Sequence, residues 1–235
     1  MLLIQLFSHD PLINNVVVTI FTFIYVFGLV ALMDYFVKNH GMPQDISRKI
    51  THIGAGSLIA FWALYTDGDG TEYLNISVLV LWMFLLVMKG LFADPNDEAV
   101  MTMTRTGDRK ELLRGPLYFV IVSIICGTVL YKNFAGIMAM AALGWGDGLA
   151  PLIGTRYGKM KYKILSQKSV EGSLTVLLAS FLAGCLFVWL LAPDQFNLTR
   201  ILIFSVAATI AEGVSPKELD NFFIPASVII LAQFI

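Results

Sequence analysis

Gly144-Trp145-Gly146-Asp147-Gly148 sets a single carboxylate between glycines inside an otherwise apolar stretch. Charge near hydrocarbon is costly, so such a group points to function. Asp147 offers the hard oxygen donor that Mg²⁺ takes alongside substrate phosphates, and the flanking glycines allow a close backbone approach. The competing reading is helix packing through Gly144, Gly146 and Gly148. Further on, Gly154-Thr155-Arg156-Tyr157-Gly158-Lys159 brings two cations among glycines. It is not a Walker A loop, because only Thr155, Arg156 and Tyr157 separate Gly154 from Gly158-Lys159, and Met160 stands where Ser or Thr is needed. Arg156, Lys159 and Lys168 remain suited to a triphosphate, whereas Lys161 and Lys163 serve equally well as membrane anchors. Lys168-Ser169-Val170-Glu171-Gly172-Ser173 opens the next apolar run, with Ser169 as its N-cap. Glu171 then either complements the helix dipole or supplies a second Mg²⁺ ligand, and Ser169 and Gly172 border a helix N-terminus that suits phosphate.

Three more segments carry polar groups at the edge of apolar runs. Arg48 and His52 are four residues apart and share a helix face with Lys49 beside them, a pattern for phosphate contact or proton handling. The mixed charges Asp108, Arg109, Lys110, Glu111 and Arg114 read most simply as a solvated interfacial helix. Ser215-Pro216-Lys217-Glu218 has the form of a capping box with proline at the first helical position, which predicts a helix from 216. Asp220 and Asn221 then lie one turn down, and Glu212 ends the preceding run. Capping does not account for Asp220, which points to a site role.

These residues need elements to hold them. The chain is 57% hydrophobic and 14% charged over 235 residues, with mean hydropathy +0.75. A soluble domain carries about 25% charged residues, so this is a membrane composition. Apolar runs near 12–37, 50–66, 74–92, 116–131, 134–153, 171–192, 197–213 and 216–235 predict an all-α bundle of seven or eight spans in one domain, 1–235. Fourteen of the sixteen Lys and Arg residues, Lys217 among them, fall in alternate loops, and only Lys132 and Arg200 fall on the other side. The positive-inside rule then places the N-terminus outside and every chemically rich loop in the cytoplasm. Cys126 and Cys185 both lie in apolar runs, where core packing is expected.

Together the segments resemble the phytol kinase and dolichol kinase family of integral-membrane lipid kinases, related to phosphatidate cytidylyltransferases. The resemblance rests on Arg48-Lys49…His52, Thr106-Gly107-Asp108…Glu111-Leu112-Leu113-Arg114-Gly115-Pro116-Leu117, Gly144 to Gly158 with Lys159, Lys168-Ser169…Glu171-Gly172-Ser173, and Glu212…Ser215-Pro216…Asp220-Asn221. It implies transfer of a phosphoryl group from a nucleoside triphosphate, usually CTP, to a membrane isoprenoid or lipid alcohol such as phytol, geranylgeraniol, farnesol, dolichol or diacylglycerol. It also implies Mg²⁺ on Asp147 and Glu171, phosphate contacts from Arg156, Lys159 and Lys168, and Asp220 or His52 handling the alcohol proton. Glu111 and Arg114 join the active face on the same ground. The expected setting is a multi-pass integral membrane protein, in the cytoplasmic (inner) membrane if the cell is prokaryotic. No nucleic-acid partner is expected, and the oligomeric state stays open, a homodimer included. A CDP-lipid synthase is the rival within this chemistry. A transporter would show paired repeats, and none is visible.

Overall fold

The computed structural model describes residues 7–94, 97, 100, 103–216 and 218–235; Lys217, counted above among the cytoplasmic cations, lies outside them. Helix α1 (Pro11–His40) starts where Asp10 accepts hydrogen bonds from the amides of Leu12 and Ile13, with proline at its first position, and stops at Gly41 in the left-handed conformation. It is followed by α2 (Gln44–Gly56), a 3₁₀ segment Ser57–Leu64, and α3 (Ser77–Phe92). Then come α4 (Gly115–Thr128), α5 (Phe134–Ala141), a π-helical turn Ala142–Gly146, and α6 (Asp147–Arg156). A two-stranded antiparallel hairpin, β1 (Lys161–Lys163) with β2 (Gln167–Ser169), precedes α7 (Val170–Leu191), α8 (Leu198–Val214) and α9 (Asp220–Leu231). Among the described residues the protein is all-α apart from that hairpin, which the hydrophobic pattern does not reveal because its strands are mostly polar.

Among the described residues, five helical stretches are long and apolar enough to cross a membrane: Pro11–His40, Thr71–Phe92, Arg109–Thr128, Phe134–Arg156 and Val170–Leu191. Their burial separates centre from periphery. Of the most apolar window, 72% is buried in Phe134–Arg156 but only 17% in α1. The central stretch is built of small residues, and Ala139, Ala141 and Ala142 have no exposed surface. Small side chains let α7, α8 and α9 pack closely against it.

The loops sort into two ends. At one, Lys132 Nζ pairs with Asp67 at 2.8 Å, and the Tyr131 hydroxyl donates to the same carboxylate. Asn15 Nδ2, buried in α1, ties that end together by donating to the Thr66 carbonyl at 2.8 Å. At the other end, Arg105 and Arg114 both reach Glu218, at 3.9 and 3.8 Å.

The helix expected from residue 216 begins instead at Asp220. Glu218 sits at φ 72°, and the Ser215 hydroxyl donates back to the Glu212 carbonyl at 2.8 Å, so Ser215 closes α8 rather than opening α9. A left-handed residue cannot belong to an α-helical turn, and Glu218 is released to face Arg105. Cys126 is buried, Cys185 half-buried, and both thiols are free.

Candidate functional site

The π-helical turn is what puts Asp147 in place. Such turns interrupt a helix with one wider loop and recur at functional sites. Here the turn also brings the backbone against α2. A Cβ on Gly144 would stand 2.6 Å from the Gly56 Cα, and one on Gly148 would collide with the Ile53 side chain beside His52. Only glycine permits that approach, and it lets the side chains of α2 reach across. Lys49 Nζ donates to both the Asp147 carboxylate and its backbone carbonyl, each at 3.2 Å. His52 Nε2 lies 3.0 Å from the Leu143 carbonyl and 3.4 Å from Asp147 Oδ2. A carbonyl oxygen only accepts, so Nε2 carries the proton and Nδ1 is left as acceptor. Asp147 is 5% exposed, and an ionised carboxylate at that depth requires the partners it has.

A second cluster adjoins from α8 and α9. Lys168, projecting from β2, binds Glu212 Oε1 at 2.5 Å and stands 3.9 Å from Asp220 Oδ2. Burial works against the Lys168 ammonium, but Glu212 outweighs it, with help from Asp220 and Asp147, and holds its pKa above the ordinary lysine value. Asn221 Oδ1 is buried with no hydrogen-bond partner among the described residues. Six other buried side-chain polar atoms share that condition, but among them and Asn221 only Asn221 lines the cavity between the two clusters.

Between these clusters lies a cavity of about 160 Å³. Its lining combines Arg48, Lys49, His52, Arg105, Asp147, Glu218, Asp220 and Asn221 with apolar groups, among them Val26, Leu29 and Val30 of α1, Val78, Leu79 and Trp82 of α3, and Phe119 and Val120 of α4. Polar and apolar surfaces thus share one space at the end of the bundle where the basic loops gather.

The structure therefore draws Arg48, Lys49, His52, Asp147, Asp220 and Asn221 onto one cavity, with Lys168 and Glu212 braced behind them. It leaves others away from it. Glu171 accepts from the Lys159 and Met160 amides, at 2.9 and 3.2 Å. Its position in the first turn of α7 aims the carboxylate back at the hairpin, which corrects its expected place beside Asp147. Arg156 and Lys159 are exposed, and the Arg156 guanidinium lies 5.6 Å from the Tyr157 ring centroid. Ser169 caps α7 by accepting from the Gly172 amide at 3.1 Å. Gly154, Gly158 and Gly172 crowd around that hydroxyl, so they serve packing rather than an open phosphate loop. Gly144, Gly146 and Gly148 likewise face neighbouring helices. Glu111 folds its own loop, accepting from the Arg105 amide at 2.5 Å and the Thr106 hydroxyl at 2.6 Å. Arg114 reaches the site only through Glu218.

Two lining residues escape a reading of the sequence, Arg105 and Glu218. Arg105 passes there for one more cytoplasmic cation, and Glu218 for the acid of a capping box. The signal that marks them is shared: loops with mixed charge and glycine or proline, arriving from distant parts of the chain, have opposite charges to exchange.

No protein-family model matches the chain, and no solved structure matches it. Among curated proteins it is 31% identical over 219 residues to a probable phytol kinase 1, chloroplastic, of Glycine max, covering 88% of this chain and 72% of that protein. It is 30% identical over 218 residues to a probable phytol kinase, chloroplastic, of Triticum aestivum, with the same two coverages, 88% and 72%. Phytol kinase 1, chloroplastic, of Arabidopsis thaliana is 25% identical over 236 residues, covering 96% of this chain and 78% of its own length.

Proposed function

This chain belongs to the phytol kinase family, and from that premise we propose that it transfers the γ-phosphoryl group of a nucleoside triphosphate, CTP by preference, to the hydroxyl of phytol or a related membrane isoprenoid alcohol. The observation that carries the reading is a single cavity whose lining combines cations and carboxylates with aliphatic and aromatic side chains. A polyphosphate and a prenyl alcohol need those two surfaces within one bond of each other. The whole chain acts as one domain, its seven or eight helical segments span the bilayer, and the charged lining of the cavity faces the cytoplasm. The gathering of Arg48, Lys49, Arg105 and Arg114 in and around that lining supports this orientation.

Phosphoryl transfer depends on positioning and charge neutralisation more than on covalent help from the protein. Arg48, Lys49 and Arg105 would hold the phosphates. Asp147 and the unpartnered Asn221 Oδ1 are oxygen donors that fit Mg²⁺, which binds through few protein groups and keeps room for phosphate and water. When bound, the ion would neutralise charge shared between the β- and γ-phosphates. Asp220 is the acceptor for the alcohol proton, because Lys168 lies 3.9 Å from it and bonds closely to Glu212 instead. His52, fixed by the Leu143 carbonyl, orients Asp147. As the alcohol oxygen bonds to the γ-phosphorus, the bond to the bridging oxygen breaks, and the nucleoside diphosphate leaves.

The test is transfer of γ-labelled phosphate by purified protein, crossing nucleotides with a panel of isoprenoid alcohols. Asp220→Asn should lower turnover by about 10²- to 10⁴-fold, the usual contribution of a positioned proton acceptor. Asp147→Asn should abolish turnover with the protein still folded in detergent. Absence of labelled lipid from every pairing, or release of pyrophosphate instead of a nucleoside diphosphate, would refute the kinase reading.

A further inference from the structure

The cavity is too small for its substrate. An apolar cavity of about 150 Å³ holds a benzene ring, and this one, at about 160 Å³, is partly polar. It can take a hydroxyl and the first isoprene unit of a long prenyl alcohol, and the rest of the chain must lie elsewhere. The walls differ in how much protein stands behind them. Much of its apolar lining comes from Val26, Leu29 and Val30 of α1 and from Val78, Leu79 and Trp82 of α3. The stretches that carry these residues are the least buried of the five, with 17% and 28% of their apolar windows covered. With so little protein over them, the outward faces of α1 and α3 suit contact with lipid.

One ring pair crosses the seam between the two helices. Phe27 of α1 meets Trp82 of α3 edge to face, with ring centroids 5.8 Å apart and planes at 72°. Phe27 is 41% exposed on the outer surface, while Trp82 lines the cavity. The pair therefore runs from the lipid side of the wall to the substrate side. An edge-to-face contact adds little beyond the area it buries, so the ring pair is a weak latch between the two helices.

We propose that the lipid alcohol enters sideways from the bilayer between α1 and α3, past Phe27 and Trp82, and reacts with its chain still lying in that seam. Trp82 is then the positioning residue that packs on the first isoprene unit and sets the hydroxyl among the charged groups, while nucleotide arrives from water by a separate mouth. This rests on the kinase reading above and adds the route and the contact that select a membrane-borne alcohol.

The test joins the two helices. In a Cys126→Ala, Cys185→Ala background, Phe27→Cys and Leu81→Cys, both exposed and outside the cavity lining, are bridged with a short bismaleimide, and the bridged protein is compared with the same protein unbridged. Two readouts are taken in detergent: binding of tritiated geranylgeraniol, and phosphorylation of geranylgeraniol against the five-carbon alcohol prenol, which can enter from water. Bridging should cut geranylgeraniol binding and turnover about tenfold or more, with prenol turnover held within about twofold. Undiminished geranylgeraniol binding, or equal loss for both alcohols, would overturn lateral entry. If the unbridged protein phosphorylates neither alcohol, the kinase reading falls, and the binding arm still decides the route. A single Trp82→Ala variant should raise KM for geranylgeraniol more than for nucleotide; equal effects on both would make Trp82 merely structural.

Discussion

Lys168 separates a phosphate ligand from a structural cation more sharply than any other residue here. It stands in the basic, glycine-rich run that suits a triphosphate, yet its ammonium lies 2.5 Å from Glu212, with side chains only 16% and 6% exposed. Lys168→Met would leave the Glu212 carboxylate buried, its remaining contact being the Ser173 hydroxyl at 3.5 Å. Removing one partner of a buried pair costs about 3–5 kcal/mol, and removing both is often close to neutral. The expected pattern is therefore a Lys168→Met variant destabilised by about 3–5 kcal/mol, a Glu212→Gln variant affected less, and a double variant that recovers most of the loss. Equilibrium unfolding in mixed detergent, followed by circular dichroism, measures all three. A loss in turnover should accompany Lys168→Met, since the ammonium also braces Asp220 at 3.9 Å. A Lys168→Met protein as stable as the parent but unable to bind nucleotide would refute the reasoning, and would return Lys168 to the phosphate.

Glu171→Gln should keep turnover within about threefold and leave its Mg²⁺ dependence unchanged, because a neutral amide oxygen can still accept from the Lys159 and Met160 amides. A raised Mg²⁺ requirement would restore it as a metal ligand. Gly144→Ala should destabilise the protein by about 1–3 kcal/mol, the usual cost of overpacking, and depress turnover, since the new methyl would stand 2.6 Å from Gly56 Cα and push Lys49 and His52 off Asp147. Gly28→Ala is the matched control: nothing lies within 4 Å of its Cβ, so stability should hold or rise by up to about 1 kcal/mol. Comparable losses at both glycines would argue against close helix approach as the cause.

The sequence by itself determined an all-α chain with apolar helices of membrane-spanning length, and most of the helical intervals. Hydrophobic run length reports how a chain meets lipid, and loop charge reports orientation; both are local and additive along the chain. Local signals also located Asp147 and the Ser169 cap, since a lone acid between glycines and a serine before an apolar run carry meaning without a partner. What only the tertiary structure decided is which polar groups meet. Glu171 binds the Lys159 and Met160 amides just ahead of the hairpin Lys161–Ser169, and neither Glu171 nor Lys159 lines the cavity with Asp147; a three-residue polar strand leaves no periodic trace. Arg105 and Glu218 join the site because loops from distant parts of the chain close over the same mouth. The glycines around Asp147, which in one dimension suit a phosphate, turn out in three to be where α2 comes close enough for Lys49 to reach the carboxylate. Pairing across tens of residues depends on packing geometry, and no window along the chain contains it.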